Sequence, residues 1–208
     1  MHNPDRANVL ATKLLLRQPQ LHLPVDPFAL CCSGKVLIDS VQHFARVVGK
    51  VPQDFLCAQS GDCFAVLYRG CRIILYNGAI LSQARRNWSI AHELGHLCCR
   101  HQSDGLREEG EANAFAASLL APRIVVSEFW RRGLVRCPQD LQELFGISQQ
   151  AAAFRWEELS GRMPLPASAF SDLECQLLER FLPAVEERLH EPVISLPKSR
   201  TNFAPTRL

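Results

Sequence analysis

Residues 92–96 read His92-Glu93-Leu94-Gly95-His96, a spacing that places two histidines on one face of a helix. Because an α-helix completes a turn about every 3.6 residues, side chains four positions apart stack above one another. Two imidazoles placed in this way can occupy two corners of a tetrahedral zinc site. Glu93 directly follows the first histidine, where it can act as general base toward a water at the metal. The motif therefore predicts a metal-dependent hydrolase built on this helix.

A zinc peptidase needs a third protein ligand, and the sequence excludes two sources of it. A metzincin carries glycine three residues after the second histidine and another histidine three residues later, but Cys99 and Gln102 occupy these positions. Cys99 itself lies about 10 Å along the helix axis from His92, too far to share one metal. The remaining option is a carboxylate on a following helix.

The next helix is predicted over residues 108–121, where an apolar stripe of helical period ends before a proline. Its first turn carries Glu108, Glu109 and Glu111. Glu109 and Asn113 are four residues apart, so Asn113 can hydrogen-bond a ligating side chain from the same face. Solvated carboxylates are also common at helix starts, where the helix dipole favours them, and this interpretation suits Glu108 and Glu111. The residues alone leave Glu109 and Glu111 open as the third ligand.

Several segments around the motif share the pattern of one protein family. Residues 85–96 read RRNWSIAHELGH, and Glu109, Ala112-Asn113, Phe115-Ala116 and Leu119-Leu120-Ala121-Pro122 follow them. With Leu23-Pro24-Val25-Asp26-Pro27 and Ile73-Ile74-Leu75-Tyr76-Asn77, these segments resemble the ImmA/IrrE family of metallopeptidases over roughly residues 5–160. Trp88 stands where that family usually has phenylalanine, which changes bulk rather than chemistry.

The resemblance implies a fold, a site and a function. The implied fold is α+β and zincin-like, with a small antiparallel sheet packed on the HExxH helix and a mostly helical C-terminal part. The implied site holds one Zn²⁺ per chain through His92, His96 and Glu109, with Glu93 as the catalytic base. The implied reaction is cleavage of a helix-turn-helix transcriptional repressor in the bacterial cytoplasm, often a repressor of a phage or mobile element, which relieves repression.

A second function remains open, a non-catalytic zinc-containing module that sequesters a regulator. An intact Glu93 favours the enzyme, because a purely structural zinc ion needs no general base.

Composition agrees with a cytoplasmic enzyme. The chain has 208 residues, of which 47% are hydrophobic, and a net charge of +2, which is too small to indicate nucleic-acid binding by itself. No apolar run is long enough to span a membrane, and the N-terminus has no signal-peptide pattern. The nine cysteines are odd in number and include no C-x-x-C, so we expect reduced thiols that pack as small hydrophobes.

Three regions are expected along the chain. Residues 1–122 would form the zincin-like metallopeptidase domain, 123–190 a helical region, and 191–208 a disordered tail rich in proline and polar residues. Within the first region, helices are predicted at 5–17, from Asp26-Pro27 to Gly34, at 40–49 and at 52–58. A β-hairpin is predicted over residues 64–76 around Arg69-Gly70.

The helical region contains a pair that resembles a helix-turn-helix motif. Residues 138–145 and 149–159 are predicted helices, joined through Gly146 and capped by Ser148. The second helix begins QQAAAF, and small apolar residues pack rather than contact phosphates or base edges. Direct DNA binding is therefore not expected, and packing or partner docking is the preferred interpretation.

Overall fold

The computed structural model describes residues 4–30, 36–56, 61–103 and 105–190. These residues form a mostly helical protein with one small sheet. The helices are α1 (Pro4–Leu16), α2 (Val41–Val48), α3 (Gln53–Leu56), α4 (Gln83–Cys99), α5 (Leu106–Leu120), α6 (Arg123–Arg131), α7 (Pro138–Phe145), α8 (Gln149–Ser160) and α9 (Asp172–His190). The strands are β1 (Val36–Ser40), β2 (Cys63–Tyr68) and β3 (Cys71–Tyr76). The fold class is thus α+β, as the sequence predicted.

The sheet is mixed, which corrects the prediction of an antiparallel one. β2 and β3 form the predicted antiparallel hairpin, but β1 pairs with β3 in parallel, giving the order β1-β3-β2. Arg69 and Gly70 form the two-residue turn with φ of 49° and 75°. β1 was not predicted, because its apolar run, Val36-Leu37-Ile38, is too short to show a period of two. In addition, Asp39-Ser40 indicates the start of a helix.

β2 is an edge strand, and its register identifies which backbone groups face outward. The amide of Asn77 donates to the carbonyl of Asp62 at 2.8 Å, so these two residues form a hydrogen-bonded pair just beyond the strands. Because bonded and non-bonded pairs alternate along an antiparallel ladder, Cys63, Ala65 and Leu67 direct their N–H and C=O groups away from β3. No other strand of the described residues pairs with this edge.

The HExxH motif lies in the middle of α4, which has a cap at each end. The hydroxyl of Ser82 accepts a hydrogen bond from the amide of Arg85 at 3.3 Å and begins the helix. Arg100 adopts a left-handed conformation with φ of 56° and ends it. One face of α4 is buried, including Ile90, Ala91, Leu94, Gly95 and Cys99, so the histidines of the motif lie toward another face.

Gly95 allows α5 to approach α4 closely. A Cβ atom at this position would lie 3.0 Å from both the Cα and the carbonyl oxygen of Ala112, and 3.1 Å from the Cβ of Phe115. Two of these three neighbours are backbone atoms, which have little freedom to move. The absence of a side chain at Gly95 therefore sets the distance between the two helices that carry the site.

One apolar cluster contains residues of both the predicted metallopeptidase domain, 1–122, and the predicted helical region, 123–190. It contains side chains from α1, α4 and α5 together with side chains from α6 to α9, among them the fully buried Phe115, Phe129, Phe145 and Phe181. The C-terminal helices therefore pack directly on the helices that support the motif.

Glu174 ties α9 to α1 and α6. Its buried carboxylate accepts hydrogen bonds from Arg123 Nη2 at 2.9 Å, Asn8 Nδ2 at 3.1 Å and Ser171 Oγ at 2.9 Å. Burial alone raises the pKa of Glu174, but the hydrogen bonds from Arg123, Ser171 and Asn8 outweigh it and lower this pKa to about 2. Glu174 is thus a structural anion at neutral pH.

The α7–α8 pair has nearly the predicted boundaries and is packed into the fold. Ala151 and Ala152 are buried, as is Arg155, whose Nη2 donates to the carbonyl of Ala121 at 2.7 Å. Ser148 caps α8 by accepting a hydrogen bond from the amide of Ala151 at 3.2 Å. The face of α8 that carries these residues is therefore occupied by intramolecular contacts.

Two predictions differ from the structure or lie beyond it. Asp26-Pro27 begins a single 3-10 turn, Pro27–Ala29, rather than a longer helix. The helix end expected at Gly34 and the tail expected at 191–208 lie outside the described residues. Among the helices that are described, none has the length and hydropathy needed to cross a membrane.

Candidate metal centre

Three donor side chains of α4 and α5 converge at the surface between these helices. His92 Nε2 lies 3.0 Å from His96 Nε2, and the two oxygens of Glu109 lie 3.4 Å from one nitrogen each. The structure therefore brings together all three residues that the sequence singled out as metal ligands. Their side chains are partly exposed, with 18% for His92, 14% for His96 and 44% for Glu109, so the group is reachable from solvent.

Asn113 orients His92, as its spacing from Glu109 suggested. Its Oδ1 lies 2.9 Å from His92 Nδ1. An amide oxygen can only accept, so Nδ1 of His92 carries the proton and its Nε2 keeps a lone pair. That lone pair lies on the side of His96 and Glu109 and suits a cation.

The donor set fits a zinc ion. Ligand atoms about 2.0–2.1 Å from a tetrahedral zinc ion are about 3.3–3.4 Å apart. Here the two Nε2 atoms are 3.0 Å apart, and each lies 3.4 Å from a different oxygen of Glu109. Two imidazole nitrogens and a carboxylate oxygen form the His₂Glu set of catalytic zinc sites, which leave a further position open. A cation between these three acceptors would relieve their mutual repulsion.

Glu93 shares one cavity with the three candidate ligands. This cavity has a volume of about 510 Å³ and is also lined by the first residues of β2, Cys63, Phe64 and Ala65. Burial, and then the charge of Glu93, raise the pKa of the Cys63 thiol well above its ordinary value. Cys63 is therefore a neutral thiol beside the site, whereas a metal ligand would have to be a thiolate.

Glu111 is not the solvated carboxylate that its position near the helix start suggested. It is 1% exposed and points away from His92, toward His101 Nε2 at 3.3 Å. Burial raises the pKa of Glu111, but hydrogen bonds from His101 and Arg107, with the charge of Arg6, outweigh it and leave this pKa below its usual value. The sequence did contain a signal, because Glu111 lies four residues before the buried Phe115 and thus at the edge of the buried stripe.

His101 is a further residue near the site that the sequence did not single out. His101 Nδ1 lies 3.1 Å from His96 Nδ1. His101 therefore contacts the ring nitrogen of His96 that does not face Glu109. The turn at Arg100, whose φ is 56°, bends the chain back toward α4 and makes this contact. Residues other than glycine rarely adopt the left-handed conformation, so the sequence pattern did not predict this turn at Arg100.

The cysteines agree with the expectation of reduced thiols where they are described. Cys63, Cys71, Cys99, Cys137 and Cys175 are not part of disulfides.

The Peptidase_M78 family model, whose description is IrrE N-terminal-like domain, matches residues 57–157. The matched region, a little under half of the chain, is similar to this family. It spans β2, β3 and α4 to α7 and most of α8, and it includes all three candidate ligands and Glu93. Similarity to the IrrE N-terminal-like family is consistent with the zincin-like α+β arrangement and supports a metallopeptidase type of function with a protein substrate. No curated protein matches the chain.

Proposed function

We propose that this protein is a zinc-dependent endopeptidase that hydrolyses one peptide bond in a helix-turn-helix transcriptional repressor and so relieves repression. One observation carries the proposal: the donor atoms of His92, His96 and Glu109 lie within 4.8 Å of one another, in the cavity that Glu93 also lines. This is the combination of a metal-binding set and a general base that metal-assisted amide hydrolysis uses.

The mechanism assigns a separate task to each side chain. His92, His96 and Glu109 would hold one zinc ion, and the partial exposure of Glu109 leaves room for water and substrate on that side. When bound, the zinc ion supplies a Lewis acid that lowers the pKa of a water toward about 7 and polarises the scissile carbonyl. Glu93 accepts the proton that the water loses as it attacks the carbonyl carbon. It then returns this proton to the nitrogen of the leaving amine, so one water is added across the C–N bond.

The edge of β2 is the proposed binding place for the substrate backbone. Its outward N–H and C=O groups, at Cys63, Ala65 and Leu67, can pair with an extended peptide as an additional strand. Cys63 and Ala65 line the same cavity as Glu93. A peptide paired with this edge would therefore run past the general base, which favours cleavage within an extended segment of the partner.

The repressor is proposed from the resemblance to ImmA/IrrE proteins, and the cytoplasm is proposed as the place of action for the same reason. DNA binding by this chain itself is not part of the proposal. Arg155 is buried and bonded to the carbonyl of Ala121 and to Glu158, so it is not available to a phosphate.

The ligand set predicts how metal binding responds to substitution. Wild-type protein is expected to bind one zinc ion per chain, and His92→Ala, His96→Ala or Glu109→Gln to weaken binding more than about 100-fold, beyond what loss of a supporting hydrogen bond costs. Competition with a chelator of known affinity measures the dissociation constant.

Glu108→Gln is the matched control, since Glu108 precedes Glu109 on the same turn and belongs to no candidate metal-binding group. It should bind zinc like the wild type. Equal losses in Glu108→Gln and Glu109→Gln would contradict the assignment, as would sulfur among the ligands in an X-ray absorption spectrum.

A further inference from the structure

His101 and the buried carboxylate of Glu111 form a line of contacts that begins at the Nδ1 atom of His96. His101 follows the left-handed turn at Arg100, and its amide donates to the carbonyl of His96 at 3.0 Å. Its ring reaches back, with Nδ1 3.1 Å from His96 Nδ1 and Nε2 3.3 Å from Glu111 Oε2. The side chain of His101 is 7% exposed and that of Glu111 is 2% exposed, so water has little access to this arrangement.

The charges around Glu111 fix it as an acceptor. Arg6 Nη1 lies 3.2 Å from its Oε2, and Arg107 Nε lies 3.3 Å from its Oε1. Two guanidinium groups at hydrogen-bond distance favour the ionised carboxylate, which has no proton to donate.

The proton positions along this line follow from the acceptor at its end. Because Glu111 accepts, His101 Nε2 donates to it. When His101 is neutral, it carries one N–H, so its Nδ1 accepts and His96 Nδ1 donates. His96 then carries its lone pair on Nε2, the atom that lies 3.4 Å from Glu109 Oε1. The same tautomer results for His92 from its contact with Asn113, so both histidines direct a lone pair toward one point.

The geometry points to His101 and Glu111 as positioning residues that fix the tautomer and ring orientation of His96 for metal binding. This inference rests on the proposed zinc centre and extends it. Histidine ligands commonly donate their second N–H to a partner, and loss of such a partner costs about 10–100-fold in metal affinity. Here the partner is another histidine, which is itself held by an ion-paired carboxylate from α5.

A second metal site is the competing use of these residues. Donor atoms of Cys99, His101 and Glu111 also lie within 4.8 Å of one another. However, Arg6 and Arg107 already neutralise Glu111 and would repel another cation. Burial raises the pKa of the Cys99 thiol, which opposes the thiolate that a metal requires. Charge therefore favours the positioning role.

The test measures zinc affinity, by chelator competition, in variants that remove or replace the acceptor. His101→Leu should weaken zinc binding about 10–100-fold, because it removes the acceptor that lies 3.1 Å from His96 Nδ1. His101→Gln should restore most of the affinity, since an amide oxygen can accept from His96 while the amide nitrogen donates to Glu111. His43→Leu removes a histidine that is also hydrogen-bonded to a carboxylate, Asp39, but lies outside the metal-binding groups, and should bind zinc like the wild type.

A second pair of variants tests Glu111. Glu111→Leu and Glu174→Leu each remove a buried carboxylate bonded to arginine, so both should lower the stability of the zinc-free protein. Only Glu111→Leu should weaken zinc binding, about 10–100-fold. Should both fail to fold, the His101 variants decide the question alone.

The outcomes separate this inference from the zinc centre itself. Wild-type affinity in His101→Leu, or equal losses in His101→Leu and His101→Gln, would overturn the positioning role while the centre stands. Two zinc ions in the wild type, one of which is lost in His101→Leu, would overturn it in favour of a second metal site. A wild type that binds no zinc would overturn the centre and this inference together.

Discussion

Glu93→Gln is expected to retain zinc and the folded structure but to slow peptide hydrolysis by at least about a hundredfold, the usual contribution of a general base. Glutamine preserves the size and shape of the side chain but cannot take a proton from water near neutral pH. Glu93 directly follows His92 and lines the cavity of the candidate ligands without belonging to the donor group. The hydrolysis rate, the zinc content and the unfolding midpoint, measured on the same preparations, test this separation.

Glu108→Gln is the control for the loss of a carboxylate next to Glu109 in the sequence, and it should hydrolyse peptide at the wild-type rate. Loss of zinc in Glu93→Gln would show that Glu93 supports the metal rather than the reaction. A wild-type rate in Glu93→Gln would mean that another group serves as the base.

Gly95→Val is expected to lower the free energy of unfolding by about 1–3 kcal/mol, as overpacking of a tight core does. A Cβ at this position already lies 3.0 Å from the backbone of Ala112, and a branched side chain requires still more space. The helices must then separate, which moves Glu109 on α5 away from the histidines on α4. Zinc affinity should therefore fall together with stability. Chemical denaturation of the zinc-free protein and chelator competition measure the two losses.

Gly161→Val is the matched control. Gly161 ends α8 with φ of −66°, and a Cβ there would meet no atom within 4 Å. Its effect on stability should stay within about 0.5 kcal/mol, and zinc affinity should not change. A Gly95→Val protein as stable as Gly161→Val would contradict the close approach of α4 and α5.

The sequence predicted those parts of the molecule that depend on local rules. Helical spacing placed His92 and His96 on one face. Ser148 marked the start of α8 and Gly146 the end of α7. Arg69-Gly70 marked the turn of the hairpin. Each of these features is determined within about one turn of chain, which is the range over which caps and turn residues act.

What the sequence did not predict depends on contacts between distant segments. β1 is a strand because it pairs in parallel with β3, which lies more than thirty residues later in the chain. The residues Val36–Ser40 alone do not indicate that partner. Glu111 is buried because Arg6 and His101 approach it from α1 and from the end of α4. A glutamate in the first turns of a helix is commonly solvated, so local reasoning gave the wrong environment for it.

The position of Glu109 depends both on local helical spacing and on contacts between helices. Its spacing from Asn113 suggested a shared face but left Glu111 as an alternative. The crossing of α4 and α5 at Gly95 brings Glu109 to the histidines and turns Glu111 toward His101. The choice between the two carboxylates thus depends on how the helices pack, which the α5 sequence alone does not contain.

Mass spectrometry of a helix-turn-helix repressor that binds this protein, incubated with the purified zinc-loaded protein, tests the central claim most directly. We expect two fragments whose masses sum to that of the repressor plus one water, formed by the wild type and not by Glu93→Gln. A repressor that binds the wild type tightly yet keeps its full mass would contradict the peptidase and leave a sequestering module in its place.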